Sequence, residues 1–229
     1  MTELVRYSEI QKGMKREFLL LQGTGCRWRK CSFCDYYLDK SENPFAVNEP
    51  ILRMVTGKYG VLDIINSGSA MEFDGKTISL IREITEEKNI SDLWFEAHWM
   101  YRKKLSDFSR NFPCRVHYRI GIESFNPELR EKWHKGIGAD VTPEMVREYF
   151  DGVCLLVGMD GQTEEDIISS VEIAESLFDY YSVNLFCPNS SIEKRNDNLA
   201  RIFIEKLYPE IAKSRKAEIL IDNTDLGVG

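Results

Sequence analysis

Seven short apolar runs recur along the chain with helix-sized gaps between most of them: 18-FLLLQ-22, 61-VLDII-65, 92-DLWFEA-97, 116-VHYRIGI-122, 153-VCLLVG-158, 182-SVNLF-186 and 218-EILI-221. The first six are rich in β-branched or aromatic residues and most are closed by Gly, Ser, Asn or Pro, as strands are, and the seventh is a further candidate. The gaps carry helix signals. Asn126-Pro127 and Thr142-Pro143 each offer an N-cap followed by proline at the first helical position. Thr163 with Asp166 resembles a capping box. After it, Ile167, Val171, Ala174 and Phe178 fall on one helical face. Leu199, Phe203 and Leu207 repeat that spacing, and residues 76–88 are also helical in pattern.

Strand alternating with helix implies a parallel sheet, because parallel neighbours need crossover connections. Six such units in about 200 residues suit a partial (β/α)6 TIM-like barrel, with parallel strands and outer helices, better than a closed eight-stranded barrel. Ligands of such folds sit at the C-terminal ends of the strands. No linker interrupts the pattern. One domain over residues 1–229 is expected, with a core at 16–213 and a last strand and tail at 214–229.

The loop after the first run, 23-GTGCRWRKCSFCDYY-37, holds three of the six cysteines, Cys26, Cys31 and Cys34, in a C-x4-C-x2-C spacing. Cys114, Cys154 and Cys187 lie near apolar runs and read as packed thiols. A structural zinc takes four ligands. The three histidines, His98, His117 and His134, are scattered far downstream, so a zinc-binding interaction module lacks a ready fourth ligand. A four-iron cluster held by three thiolates would keep one iron open for a reactant, as catalytic metals keep a position free.

The net charge of -7 argues against bulk binding to nucleic acid. Arg27, Trp28, Arg29 and Lys30 are too few to reverse that and read as a solvated loop. No run approaches the roughly 20 apolar residues of a membrane span. The charged N-terminus has no apolar signal core. A cytoplasmic protein is expected, where thiols stay reduced.

The three-cysteine loop after the first strand, Phe33 just before its last cysteine, and the β/α alternation resemble the radical S-adenosylmethionine superfamily. The commonest spacing there is C-x3-C-x2-C, so this loop is one residue longer. The resemblance implies a [4Fe-4S] cluster on Cys26, Cys31 and Cys34, whose open iron chelates S-adenosyl-L-methionine and yields a 5′-deoxyadenosyl radical. It also implies a one-electron donor such as flavodoxin or ferredoxin. The stretch 66-NSGSAMEF-73 resembles the superfamily's glycine-containing motif for the methionine amino group, which would engage Ser67, Gly68 and Ser69. In 120-IGIESFNPELREKWHKG-136, Glu123 matches a ribose-binding position. Lys135 matches a carboxylate-binding one, where arginine is commoner. The stretch 157-VGMDGQTEEDI-167 resembles the turn near the adenine and brings in Met159.

The whole chain, including 33-FCDYYLDKSENPF-45 and 92-DLWFEAHWMYR-102, resembles the queuine lyases. These cleave the cyclopentenediol from queuine and release 7-aminomethyl-7-deazaguanine in queuosine precursor salvage. That resemblance implies a carbon–nitrogen lyase acting on a small-molecule 7-deazaguanine base. A superfamily member acting on another small molecule or on RNA is the alternative. Glu96, His98, Asn184 and Asp222, at or just beyond strand ends, are the candidate substrate contacts. A deazaguanine edge presents N–H donors that carboxylates and amide oxygens accept. Trp99, Tyr101, Phe186 or Tyr36 offer stacking faces.

Overall fold

The computed structural model describes residues 4–229. Within each of two compact units the strands follow one another in chain order. The units interleave along the sequence. One takes residues up to 29, then 36–118 and 224–229; the other takes 30–35 and 119–223.

The first unit opens with β1 (Tyr7–Ile10), antiparallel to β2 (Arg16–Leu21). β3 (Val61–Asn66) and β4 (Asp92–Glu96) then follow in parallel. The registers Leu19↔Ile64 and Ile64↔Phe95 stack one face into a core of Leu19, Leu21, Leu62, Ile64, Leu93 and Phe95, all buried. Helices α1 (Pro44–Leu52), α2 (Gly75–Glu87) and α3 (Leu105–Ser109) accompany them. α2 starts where the Asp74 carboxylate accepts the Lys76 and Thr77 N–H groups at 2.9 and 3.0 Å. It buries Leu80, Ile81 and Ile84. On the opposite face of the strands, Arg16 donates to Asp63 at 2.7 Å with both side chains fully buried.

β5 (Arg115–Glu123) passes from the first unit into the second. There β6 (Gly152–Val157), β7 (Tyr180–Leu185) and β8 (Ala217–Leu220) continue in parallel, with registers Leu156↔Asn184 and Asn184↔Leu220. The helices are α4 (Pro127–Lys132), α5 (Pro143–Arg147), α6 (Glu164–Leu177), α7 (Asp197–Ile202) and α8 (Tyr208–Ile211). The anticipated caps form. Asn126 accepts from the Glu128 N–H at 2.9 Å, and Thr142 from Met145 at 3.3 Å. Thr163 and Asp166 exchange bonds at 2.9 and 3.1 Å, completing a capping box. Ile167, Ala174 and Phe178 are buried as their spacing requires, while Val171 is half-buried.

Two features depart from the sequence reading. β1 was not anticipated, because YSEI has no apolar run and all four of its residues stay half-exposed. The Leu199–Leu207 stripe is one helical face only as far as α7. At Phe203–Leu207 the chain widens into a π-turn before α8. Among the described residues no helix is long and apolar enough to cross a membrane.

Candidate active site

In the first unit the cysteine loop is tied down by one carboxylate. Glu72 ends the short turn Ala70–Glu72 that follows β3 and is buried. Its Oε1 accepts the Arg27 N–H at 2.8 Å and the Tyr101 hydroxyl at 3.0 Å. Its Oε2 accepts the Ser69 N–H at 2.7 Å, and its backbone carbonyl takes the Thr24 N–H at 2.8 Å. Burial, reinforced by the Glu72 charge, pushes the Tyr101 hydroxyl up to about 12, so it stays a donor at any ordinary pH. A Cβ on Gly68 would meet Glu72 Oε2 and stand 3.1 Å from the Cys26 Cα. Only glycine lets residues 67–69 lie this close to the cysteine backbone. The Cys26 sulfur itself accepts the Arg29 N–H at 3.3 Å.

Ser69 also accepts the His98 N–H on its hydroxyl at 3.0 Å. His98 caps the turn Trp99–Lys104: its Nδ1 accepts the Met100 N–H at 3.2 Å, and its ring stacks on Trp28 at 5.1 Å and 19°. An accepting Nδ1 in a neutral ring leaves the proton on Nε2. Ser67 donates to Asp39 at 3.3 Å. The same carboxylate holds Arg6 through two bonds of 3.0 and 2.7 Å and accepts from Gln22 Nε2 at 2.6 Å. Burial works to raise the Asp39 carboxyl, but Arg6, Gln22 and Ser67 outweigh it and hold it below the usual range. Glu96 is half-buried at the end of β4. Trp99 and Tyr101 are core residues, whereas Tyr36 is exposed.

In the second unit, Phe33, Leu129, Trp133, Met159 and Phe186 form a buried cluster against which Cys31, Cys34 and Leu156 pack. Phe33 meets Trp133 edge-on at 6.2 Å. The loop is anchored by Ser32, whose N–H bonds the Trp133 carbonyl at 3.1 Å, and by the Asn189 amide on the Phe33 carbonyl at 2.9 Å. Beside this cluster, Lys135 donates to Glu123 at 2.6 Å, with both side chains about 10% exposed, and its ammonium stands 5.5 Å from the Phe33 ring centroid. Burial would lower the Lys135 ammonium. The Glu123 carboxylate and the negative charge available at Cys31 and Cys34 outweigh that and hold it above the ordinary lysine value.

Glu123 reaches this position through a strained backbone. Its φ of 65° lies in the left-handed region, and the β5–β6 register shifts between Gly121 and Glu123. Such a conformation costs roughly 1–3 kcal/mol and clusters at functional sites. A Cβ on Gly121 would come within 2.5 Å of Glu123 Oε1 and 3.1 Å of Lys135 Nζ. Gly121→Ala is therefore expected to lower stability by about 1–3 kcal/mol through overpacking, read as a reduced urea midpoint. Asn184 is half-buried on β7, and its Oδ1 is buried without a hydrogen-bond partner. Asp222 is exposed just beyond β8.

The donor set suits a sulfur-rich anionic group. The Trp133 Nε1–H is buried with no partner, in the very cluster that packs against Cys31 and Cys34. It can only donate. A cation held charged stands beside it. Among the described residues no three Cys, His, Asp or Glu side chains converge as ligands of a single metal ion.

Sequence reasoning missed Glu72, Trp133 and the Asp39–Gln22–Arg6 network. Glu72 had a signal: 69-SAME-72 reads as the Ser-x-x-Glu of a capping box, and the structure forms its carboxylate half, Glu72 accepting the Ser69 N–H. The other two had none: Arg6, Gln22 and Asp39 lie far apart in sequence, and no local pattern marks the Trp133 indole as buried with its N–H unmet.

Neither family models nor curated proteins give a match. Among solved structures, a queuine lyase from Clostridium spiroforme bound to S-adenosylmethionine and queuine superposes with a TM-score of 0.94 at 40% identity, covering 99% of this chain and 100% of that one. SuiB from Streptococcus suis, bound to S-adenosylmethionine, matches at a TM-score of 0.57 and 16% identity, covering 91% of this chain and 48% of that one. The second likeness is one of fold alone. The α/β class with a partial (β/α)6 TIM-like arrangement, expected from the strand–helix alternation, is the fold of this chain. At 40% identity across essentially its full length, the chain belongs to the queuine lyase family of radical S-adenosylmethionine enzymes.

Proposed function

We propose that this chain is a carbon–nitrogen lyase that cleaves queuine and releases 7-aminomethyl-7-deazaguanine, in salvage of the queuosine precursor. The observation that carries the reading is the full-length likeness to a queuine lyase bound to S-adenosylmethionine and queuine. When bound, the [4Fe-4S] cluster and S-adenosyl-L-methionine supply a 5′-deoxyadenosyl radical that takes a substrate hydrogen.

The chain's own residues hold and orient. Cys26, Cys31 and Cys34 ligate the cluster, and Phe33 with Met159 walls the cysteine pair Cys31 and Cys34. Ser67, Gly68 and Ser69 present backbone and hydroxyl groups to the methionine amino end. Glu123 serves the ribose hydroxyls, and Lys135, already charged and buried, serves the methionine carboxylate. Its contact is a point charge where arginine would offer a fork.

On the substrate, the free Asn184 Oδ1 accepts an N–H of the base, because leaving a buried acceptor unmet costs about 1–3 kcal/mol. His98 offers its Nε2 proton. Glu96 and Asp222 receive the remaining base donors or the cationic amine. Correct orientation matters because it selects which hydrogen is taken. An external one-electron carrier such as flavodoxin or ferredoxin supplies the reducing electron.

Anaerobically reconstituted protein is expected to form 5′-deoxyadenosine at least ~10-fold faster with queuine than without it, as proximity and orientation of the substrate demand. 7-Aminomethyl-7-deazaguanine should appear in step, followed by mass spectrometry. Background 5′-deoxyadenosine unchanged by queuine would refute the substrate.

A further inference from the structure

In an acidic chain, one wall next to a cluster cysteine is cationic. A polar cavity of about 320 Å³ in the first unit is lined by Cys26 together with Arg27, Arg29, Lys40, Glu72 and Tyr101, among others. Arg27, Arg29 and Lys40 are exposed. Glu72, the single carboxylate on that wall, is buried and its oxygens are already hydrogen-bonded to Arg27, Ser69 and Tyr101. The wall therefore presents positive charge to solvent, against a net charge of -7 for the whole chain. Between Arg29 and Lys40 in sequence, the turn Tyr36–Leu38 exposes two large apolar side chains, Tyr36 at 55% and Leu38 at 59%. Arg29 lies over the Tyr37 ring at 4.5 Å, which ties that turn to the cationic wall.

We infer that Arg29, Lys40, Tyr36 and Leu38 form the docking surface for an acidic one-electron carrier protein. The inference rests on the radical reading of the site. Each sulfur–carbon cleavage of S-adenosylmethionine consumes one electron, so the carrier is oxidised by one electron for every methionine released. The carrier must approach a cluster ligand, and Cys26 is a wall of this cavity. Weak electron-transfer encounters bury less than about 1,200 Å². They combine an apolar centre with charges that steer the encounter. Two exposed apolar residues beside two cations have that composition. An RNA would want a wider basic field than two or three side chains.

The test uses uncoupled S-adenosylmethionine cleavage, which needs no queuine. Wild type and the double variant Leu38→Glu/Lys40→Glu are reduced either with dithionite or with a purified, enzymatically reduced flavodoxin. The double variant is expected to raise the KM for flavodoxin by ~10-fold or more, the scale of losing charge steering, while its dithionite-driven rate stays within about 2-fold of wild type, since a small reductant needs no docking surface. Flavodoxin binding by calorimetry should weaken in parallel, and wild-type binding should weaken with salt. An unchanged flavodoxin KM overturns the inference. So does an equal fall with both reductants, which would place the effect on the cluster, or a loss of tRNA binding with flavodoxin untouched. Wild type inert with dithionite would sink the functional reading itself.

Discussion

Alanine at Cys26, Cys31 or Cys34 is expected to strip iron and sulfide from the reconstituted protein and abolish S-adenosylmethionine cleavage. Alanine at Cys114, Cys154 or Cys187 should leave both intact. The division follows from surroundings. Cys31 and Cys34 pack on the Phe33–Trp133 cluster and bear on the Lys135 charge. Cys26 accepts a backbone N–H and lines a polar cavity. By contrast, Cys114 has its thiol raised by burial, which disfavours the thiolate that a cluster needs. Cys154 is a buried strand residue on β6, and Cys187 points its sulfur at the Leu185 and Ile221 carbonyls, acting as a donor. Each loop variant removes one of three ligands, so partial occupancy is not expected. Iron and sulfide analysis with the visible absorbance spectrum reads the outcome. Cluster retention in any loop variant, or its loss in any of the other three, would overturn the assignment.

The same contrast shows what the sequence discloses. Local signals carried well. Short apolar runs located β2 through β8, and side-chain caps located the starts of α4, α5 and α6, because each rests on residues within four positions of one another. β1 escaped because its pairing with β2 is made by backbone groups, and its side chains carry no alternation strong enough to register. The cysteine spacing and the glycine at 68 pointed to a cofactor, yet the carboxylate that organises them did not stand out. Glu72 acts through Arg27 and Tyr101, 45 and 29 residues away, and no window along the chain contains both. Glu123 and Lys135 were each legible as positions. Their mutual bond and the left-handed backbone under Glu123 were not, since a positive φ at a glutamate leaves no mark in composition.

That pair sets the second large effect. Lys135→Met is expected to destabilise the protein by about 3–5 kcal/mol, because it leaves the Glu123 carboxylate buried without its counter-charge. The expected readout is a lowered urea midpoint with an unchanged slope. Adding Glu123→Gln to Lys135→Met should recover a good part of the loss, since the uncompensated charge is then gone. Both variants should bind S-adenosylmethionine far more weakly than wild type, whatever their stability, if Lys135 meets the methionine carboxylate. Lys135→Arg should retain more binding than Lys135→Met, because it keeps the charge while altering the geometry. The pH dependence is one-sided. A lysine held above its unfolded value of about 10.4 contributes its full stabilisation below that pH and loses it only as pH climbs through the higher folded value. The Lys135 contribution is thus constant across neutral pH, and the stability gap between wild type and the double variant Lys135→Met/Glu123→Gln, which carries no buried carboxylate of its own to titrate, should stay level from about pH 6 to 9. A gap that closes on alkaline titration within that window would mean that the ammonium is not held by Glu123 and the thiolates. A Lys135→Met protein that binds S-adenosylmethionine as tightly as wild type would confine the pair to a structural role.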